Sequence, residues 1–513
     1  MKKSLYIMAL FATMLASSCS SDYLDTTPDA SLSKKVTFST TEHVEQAVNG
    51  LSKMMTQQYF NNRYFNGEGT IKSFYGNLQG NDYQKYYSAL KDIANGTHMV
   101  NSARNYDYFP WFYYYRIIGN ANSIILHVDE ATGTGTEAKK QFLKAQALTF
   151  RAYCYSMLVQ LYSNRWKDHQ GDAKGVVLRL DESTGDMPLS TLGKCYEQMY
   201  ADLDQAISLF TESKLTRNSS QNYLPDLSVA YAVYARVALN REDWSMAAKY
   251  AALARANYPL MSNSEYQSGF NTANKEWIWS VYSSESESLY YFQYYVYEAS
   301  NSDQAWSTSR PSAISKELYD QIPATDIRRD LFLDPKDDTY NTTTGRANNA
   351  LTTRAKKEYA TKMCSNSLIF AYMQYKQLTK AQPGVGEFNL FRASEMYLIE
   401  AEADCHIPGK EAEAQNLLIK LNKDSGRNPE YTCTKTGEDL LEEVRLYNRI
   451  ELWGEGHDWF NYKRWGLPII RKGFNKGGSF ITAFAVTINP TDRNNWTWVI
   501  PEIETDYNKA LSN

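Results

Sequence analysis

The chain lacks the patterns that mark several large classes of protein. Its 513 residues include six cysteines, none in a C-x-x-C pair and none spaced with histidine as zinc ligands are, so we predict no metal site. It has no H-E-x-x-H motif, phosphate-binding loop or nucleophile elbow. The pair Gly133 and Gly135 lacks the third glycine and the preceding strand of a dinucleotide-binding loop. We therefore expect neither a cofactor nor a catalytic constellation.

Long runs of one character are also scarce. No long basic run occurs and the net charge is −4, which argues against nucleic-acid binding through phosphate contacts. After the first residues no long apolar run occurs, so no membrane-spanning helix is predicted. The one apolar run, residues 5–15, has about eleven residues, whereas a span needs roughly 20.

That short run has the flanks of a secretion signal. Lys2 and Lys3 precede it, small residues follow it, and Cys19 comes next. We predict a lipoprotein signal peptide at residues 1–18, lipidation of Cys19, and a flexible tether at residues 19–33. Ala16 stands where a lipoprotein box usually has leucine, and ordinary cleavage beside an incidental cysteine is the alternative.

Helical periodicity dominates the rest of the chain. From Ala138 to Ser163, apolar residues recur every three or four positions and form one stripe, and residues 196–210 form a second amphipathic segment. Residues 228–256 and 393–422 each indicate two alanine-rich helices, with turns near 240–243 and 407–410. A further helix is expected at 120–131.

Alanine-rich pairs of this length are typical of tetratricopeptide-like repeats, which must stack to bury their apolar faces. The predicted fold class is therefore all-α, a tetratricopeptide-like scaffold of about four helix pairs. We expect one domain over residues 34–513, with an N-terminal part at about 34–225 and a C-terminal part at about 226–513. A generic helical bundle is the alternative.

Long segments without helical period carry many of the 40 tyrosines. Residues 61–87, 164–190, 258–350 and 467–500 are rich in glycine, small polar residues and aromatics, so we expect ordered loops over one side of the helices. A sugar ring has an apolar face that an aromatic ring can cover, and its hydroxyls need hydrogen-bond partners. Three segments mix aromatics with short polar side chains: residues 74–87, 105–115 and 290–306. The predicted ligand contacts are Tyr75, Asn77, Asp82, Tyr83, Tyr108, Trp111, Tyr291, Tyr294 and Trp306.

The competing interpretation is an enzyme. Glycoside hydrolysis needs two carboxylates across a cleft, and Glu285 with Glu287 is one chance pairing that a solvated loop explains better. His457 is a conceivable general base, and a packed histidine explains it better. His406 lies at a predicted helix end. The expectation is therefore a binding protein and not an enzyme.

An ordered set of phrases resembles the SusD/RagB family across essentially the whole chain after the signal. Among them are Cys19 followed by YLDTTP at 23–28, NANSI at 120–124, KAQALTFRAYCYSMLVQLY at 144–162, FRASEMYLIEAEA at 391–403 and NRIELWGEGHDWFNYKRWG at 448–466. The chain departs from the family pattern at Tyr447-Asn448, at Asn461 and at Asn508-Lys509, which concerns the ion pairs that fix the C-terminal region.

The resemblance implies a surface lipoprotein of the Bacteroidetes outer membrane with a helical fold and a loop-rich ligand face. It further implies a protein that binds oligosaccharides and acts as the lid of a TonB-dependent, SusC-like transporter. A surface lipoprotein that binds peptides or another nutrient for such a transporter is the alternative function.

Overall fold

The computed structural model describes residues 34–132, 136–283 and 294–511. Cys19 and the segments predicted as signal peptide and tether lie outside these ranges. Ten helices carry the architecture: α1 Thr41–Met54, α2 Asn105–His127, α3 Glu137–Tyr162, α4 Leu192–Ser213, α5 Leu227–Asn240, α6 Trp244–Arg255, α7 Ala393–His406, α8 Glu411–Ile419, α9 Gly437–Glu451 and α10 Asp458–Trp465.

Shorter elements fill the connections. The α-helical ones are Lys34–Thr37, Gly67–Thr70, Lys91–Ala94, Trp166–His169, Asn263–Tyr266, Tyr294–Glu298, Ala305–Thr308, Lys316–Tyr319, Asn349–Glu358, Asp492–Trp496 and Glu502–Tyr507. The 3₁₀ turns are Ser88–Leu90, Thr97–Val100, Val128–Glu130, Gln170–Asp172, Ile327–Leu331, Phe474–Lys476 and Lys509–Leu511, and π-helical turns span Ile71–Leu78 and Lys420–Asp424.

The long helices stack in sequence order, which confirms the tetratricopeptide-like prediction. Helix α3 packs on α2 and α4, α5 packs on α4 and α6, and α7 packs on α6, α8 and α9. Alanines allow the close approaches, because Ala247, Ala251 and Ala254 of α6 are fully buried. The predicted turns lie where expected, and Asp243 caps α6 by accepting a hydrogen bond from the Met246 amide at 3.4 Å.

Specific contacts fix the order of the stack. Tyr234 of α5 stacks on Tyr250 of α6 with ring centroids 3.9 Å apart. Between α3 and α4, Arg151 and Asp202 form a buried ion pair at 2.6 Å. A buried ion pair is costly to break, because removing one partner leaves an uncompensated charge. These contacts therefore specify which helices are neighbours.

Helix α2 differs from its prediction, because it begins at Asn105 and not at residue 120. Residues 105–115 were expected at the mouth of this helix, but they form its first part, although Pro110 lacks an amide hydrogen and aromatics occupy almost every position. Tertiary partners stabilise this helical start. The hydroxyl of Tyr162 donates to the Asp107 carbonyl and lies 3.2 Å from the Trp111 amide nitrogen, so it bridges one turn of the helix.

Three two-stranded antiparallel ladders lie between the helices. Strand β1 (Tyr83–Lys85) pairs with β3 (Ser312–Ile314), β2 (Trp277–Ser280) with β4 (Asn389–Arg392), and β5 (Ile469–Ile470) with β6 (Thr487–Ile488). The first two ladders each join segments more than 100 residues apart in sequence, whereas β5 and β6 are close neighbours. The loop regions are therefore fixed to one another as well as to the helices.

A buried charge network holds the C-terminal helices. Arg392 contacts Glu276, Glu451 and Glu455 at 2.7–2.8 Å, and all four side chains are buried. At the positions where the sequence departs from the family pattern, Asn461 donates to the Asn448 side-chain oxygen at 2.8 Å. An amide pair therefore connects α9 and α10 at this point.

Within residues 34–132, 136–283 and 294–511, none of the helices combines the length and the apolar character needed to cross a bilayer.

Candidate functional site

Most of the predicted ligand contacts are buried. The side chains of Tyr75, Asn77, Asp82, Tyr83, Trp111 and Tyr294 are each at most 5 % exposed. This corrects the expectation of a surface loop at 74–87, because a π-helical turn and strand β1 place that segment in the core. Tyr291 lies outside the described residues. Tyr108 and Trp306 belong to aromatic clusters that include partly exposed rings.

Long-range hydrogen bonds explain why these residues point inward. Asn77 donates to the Gly454 carbonyl at 2.9 Å and accepts from the Gly456 amide at 2.7 Å. Tyr294 donates to the same Gly454 carbonyl at 3.1 Å. These side chains satisfy the backbone of a tight buried turn, so we interpret them as supports and not as ligand contacts.

Asp82 has a structural partner as well. Its carboxylate pairs with Arg449 at 2.6 Å, and its amide donates to Asp458 at 2.6 Å. Burial, with the negative charge of Asp82, raises the pKa of Asp458 to about 8. Two neighbouring acids resemble a hydrolase pair, but the adjoining cavity, which Asp458 lines, is about 10 Å³, room for about one water. A sugar ring does not fit there.

Trp111 lies beneath a groove of about 400 Å³ that α2, residues 177–184 and the C-terminal segment around Glu504 enclose. Its ring packs edge-on against Tyr162, with centroids 5.0 Å apart, and its side chain is 1 % exposed. It closes the floor of the groove. The surface for ligand stacking must therefore come from other rings.

One group of aromatic rings with accessible members surrounds Trp306. We call it the Trp306 cluster, and its members are Arg63, Tyr64, Tyr87, Tyr297, Trp306 and Arg310. Tyr87 and Tyr297 each lie 5.0 Å from Trp306 between ring centroids, and Tyr64 lies 6.0 Å away. All three rings make edge-to-face contacts with the indole, at interplanar angles of 67–85°. Trp306 and Tyr297 are buried, while Tyr64 and Tyr87 are partly exposed.

Strand pairing brings this cluster together. In the ladder of β1 and β3, Lys85 is opposite Ser312, and the Tyr86 amide donates to the Pro311 carbonyl at 3.1 Å. The next residues outward are Tyr87 and Arg310, so the register places them side by side. From the third segment, Tyr297 donates its hydroxyl to the Arg63 carbonyl.

Two guanidinium groups flank the rings. The Arg310 carbon Cζ lies 3.9 Å from the Tyr87 centroid and 5.1 Å from Trp306, and Arg63 Cζ lies 5.3 Å from Tyr64. The hydrogen bond to the Tyr64 side chain raises the pKa of Arg63 above its ordinary value. The cluster therefore combines ring faces with cationic donors.

Tyr108 belongs to a neighbouring group, the Phe60 cluster, which consists of Phe60, Tyr108, Phe112 and Arg116. Tyr108 stacks on Phe60 at 5.6 Å with an interplanar angle of 13°, and Phe60 is 38 % exposed. Ring contacts through Phe65, Tyr106 and Phe74 connect this cluster to Tyr64. Phe65 and Phe74 are buried, so the two clusters are linked through the aromatic core beneath them.

Sequence reasoning missed Phe60, Tyr64, Tyr87 and the two arginines of the Trp306 cluster. Tyr64 and Tyr87 lie inside the aromatic segment 61–87 that composition had selected, but nothing local distinguished them from the buried tyrosines. The available signal was the arginine beside an aromatic in that segment, Arg63-Tyr64, because stacked guanidinium groups commonly mark ligand surfaces.

The two histidine candidates occupy structural positions, and Glu285 and Glu287 lie outside the described residues. His406 stacks on Trp244 with ring centroids 4.0 Å apart. Burial lowers the pKa of His457 well below its usual range, and the nearby Arg236 and Lys72 lower it further. Across the residues that the structure describes, no group of three metal-ligating side chains could hold an ion.

Comparison with known proteins identifies the family. A profile described as SusD family matches residues 244–512, and another, described as starch-binding and associating with the outer membrane, matches residues 22–239. The chain belongs to the SusD family. The SusD-like protein P2 of Formosa agariphila is 25 % identical over 467 residues, which are 86 % of this chain and 87 % of that protein.

Solved structures share this SusD fold. A SusD-like carbohydrate-binding protein of Bacteroides vulgatus superimposes with a TM-score of 0.73 at 22 % identity, over 92 % of this chain and 97 % of that one. A SusD superfamily protein of Bacteroides thetaiotaomicron gives a TM-score of 0.70 at 22 % identity, over 92 % and 99 % of the two chains. At these identities the likeness establishes the fold alone.

Proposed function

We propose that this SusD-family protein binds oligosaccharides through the surface formed by the Trp306 and Phe60 clusters. The observation that carries the proposal is the packing of Tyr64 and Tyr87 against one buried indole, which holds two partly exposed rings in place. Rigid rings reduce the entropy that a ligand must overcome, and their apolar faces match the C–H face of a sugar. Family membership and the names of the relatives support the same ligand class.

The proposed activity is binding without a catalytic step. The arrangement provides stacking faces and guanidinium donors, and the tight cavity beside Asp458 is separate from these aromatic clusters. Binding and release of an intact oligosaccharide is the activity that such a surface supports. The protein would therefore capture oligosaccharides that separate enzymes release from a polysaccharide.

Delivery to a transporter is the second part of the proposal. The protein would hand its ligand to a SusC-like TonB-dependent transporter in the outer membrane, exposed at the cell surface and anchored through lipid on Cys19. Residues 1–18 would be the signal peptide and residues 19–33 the tether. About 0.8 kcal/mol per buried methylene makes two or more acyl chains a stable anchor. The family profile that mentions outer-membrane association supports this location.

Incubation of the pure protein with a panel of soluble glycans tests the proposal. We expect retention of at least one glycan in affinity electrophoresis, with no new reducing ends after prolonged incubation. Retention of a peptide mixture and of no glycan would favour the alternative nutrient, and new reducing ends would identify a hydrolase. Either result would contradict the proposed function.

A further inference from the structure

We propose that the Trp306 cluster selects acidic oligosaccharides, in which a carboxylate or sulfate group of the sugar binds between Arg63 and Arg310. This inference rests on the proposed function, because it names the substrate class of the same site. It is carried by the charges of the cluster and not by its rings, so it can fail while glycan binding stands.

The two arginines lack the partner that arginines in this protein commonly have. Within the described ranges, neither Arg63 nor Arg310 has a carboxylate within the 4.0 Å of a salt bridge. By contrast, Arg236 and Arg255 each pair with a glutamate at 2.7 Å, and Arg464 pairs with Glu402. The protein as a whole is acidic, with a net charge of −4. Two uncompensated cations at one aromatic cluster are therefore not the result of a generally basic surface.

The guanidinium groups are placed to bind an acidic group of a sugar that stacks on the aromatic rings. Arg310 lies over Tyr87 at 3.9 Å and is partly exposed. A guanidinium packed over a ring keeps its N–H groups along its edge, where they can form two parallel hydrogen bonds to a carboxylate or sulfate. Because the ring excludes water from one side, such a pair is stronger than one in open solvent.

Neighbouring charges do not cancel this potential. Lys85 lies beneath the cluster, where its ammonium donates to the Tyr297 carbonyl and to Ser312 at 3.2 Å. Burial lowers the pKa of Lys85 to about 8, and Arg310 lowers it further while Glu298 opposes the shift. Beside Tyr106, Arg104 and Asp92 face each other at 4.0 Å and balance one another. The local excess is thus positive.

The decisive experiment compares polysaccharides that differ only in charge. Polygalacturonate, alginate, hyaluronan and a sulfated galactan are run in affinity electrophoresis beside their carboxyl-reduced or desulfated forms, together with neutral glucans, xylans and mannans. We expect retention by at least one acidic polymer and at least tenfold weaker retention by its neutral form. We also expect the affinity to fall with added salt, as an ion pair in partly exposed surroundings requires.

Three variants locate the effect. Arg310→Gln should weaken binding of the acidic ligand at least tenfold without changing the melting temperature. The affinity of the Arg310→Lys variant should lie between those of Arg310→Gln and the wild type, because lysine keeps the charge but cannot donate two parallel hydrogen bonds. Arg241→Gln is the matched control, since Arg241 is a partly exposed arginine that lies over Trp166 at 5.2 Å and over Tyr200 at 4.8 Å, outside both clusters. It should leave binding unchanged.

The outcomes separate this inference from the proposed function. Retention of neutral glycans that the Arg310→Gln variant preserves would overturn acidic selectivity and leave glycan binding intact. Equal losses in the Arg241→Gln and Arg310→Gln variants would show a general charge effect and would also overturn it. Failure to retain any polymer, acidic or neutral, would overturn both proposals.

Discussion

The hydroxyl of Tyr75 donates to the carbonyl oxygen of Tyr106 at 2.8 Å. In a regular helix that carbonyl would accept from the amide four residues later, but residue 110 is proline and has no amide hydrogen. A tyrosine from another segment thus provides the hydrogen bond that α2 lacks. The contact explains why Tyr75 is fully buried and why an apparent loop is the first part of a helix.

The first prediction concerns this contact. Tyr75→Phe should lower the free energy of unfolding by about 1–3 kcal/mol, because it leaves a buried carbonyl without a donor. Pro110→Ala returns an amide hydrogen to the helix, so the same Tyr75→Phe change should cost less in that background. A double-mutant cycle by urea denaturation measures the coupling. Purely additive costs would contradict this explanation of the helix start.

The second prediction is a pH dependence at Asp107. Neither oxygen of its buried carboxyl has a hydrogen-bond partner among the described residues, and burial raises its pKa from 3.8 to about 9. In the unfolded chain the group loses its proton near pH 4, while in the folded protein it keeps it to about pH 9. The unfolded state therefore binds fewer protons in this window, and the group lowers stability as pH rises.

Asp107→Asn removes the titration and should raise the melting temperature more at pH 8 than at pH 5. The substitution should remove a decrease in the free energy of unfolding of at most about 1.4 kcal/mol per pH unit. Thermal unfolding of both proteins across this pH range provides the measurement. Parallel curves for variant and wild type would show that Asp107 keeps its ordinary pKa.

The third prediction separates a core aromatic from a ligand contact. Trp111→Ala should lower the free energy of unfolding by about 3–5 kcal/mol, the usual cost of removing a buried tryptophan. Tyr87→Ala removes a partly exposed ring and should weaken glycan retention with little change in melting temperature. Differential scanning fluorimetry and affinity electrophoresis on the same preparations distinguish them. The reverse pattern would move the site to the groove above Trp111.

The fourth prediction concerns the anchor. Cys19→Ala should release the protein from the membrane fraction of expressing cells into the soluble extracytoplasmic fraction, because no lipid can then be attached. A Cys364→Ala variant is the control, since Cys364 is a free cysteine of the folded part, and it should remain with the membranes. Membrane retention of the Cys19→Ala protein would remove the argument for lipidation.

The sequence predicted the helical stack well, because its signals are local and repeated. The stripe from Ala138 to Ser163 corresponds to helix Glu137–Tyr162, and the alanine-rich segments became the pairs α5 with α6 and α7 with α8. Periodicity of apolar residues depends only on neighbours a few positions apart. The start of α2 escaped the same reasoning, since its stability comes from Tyr75 and Tyr162, which are distant in sequence.

The site was predicted only to the level of segments. Composition selected residues 74–87 and 290–306, and the second segment contains Trp306. Composition alone could not distinguish Asn77, which is hydrogen-bonded to a turn more than 370 residues away, from an exposed asparagine. Tyr83 and Tyr87 differ in the same way, because only the pairing of β1 with β3 decides which ring is buried. Burial set by long-range pairing has no local signature.

The most direct test of the account is the affinity of a Tyr64→Ala, Tyr87→Ala double variant for the glycan that the wild type retains best. Isothermal titration calorimetry should show a dissociation constant at least tenfold larger than that of the wild type, while the circular dichroism spectrum and the melting temperature stay close to those of the wild type. A folded double variant that binds the same glycan with unchanged affinity would contradict a binding site at the Trp306 cluster.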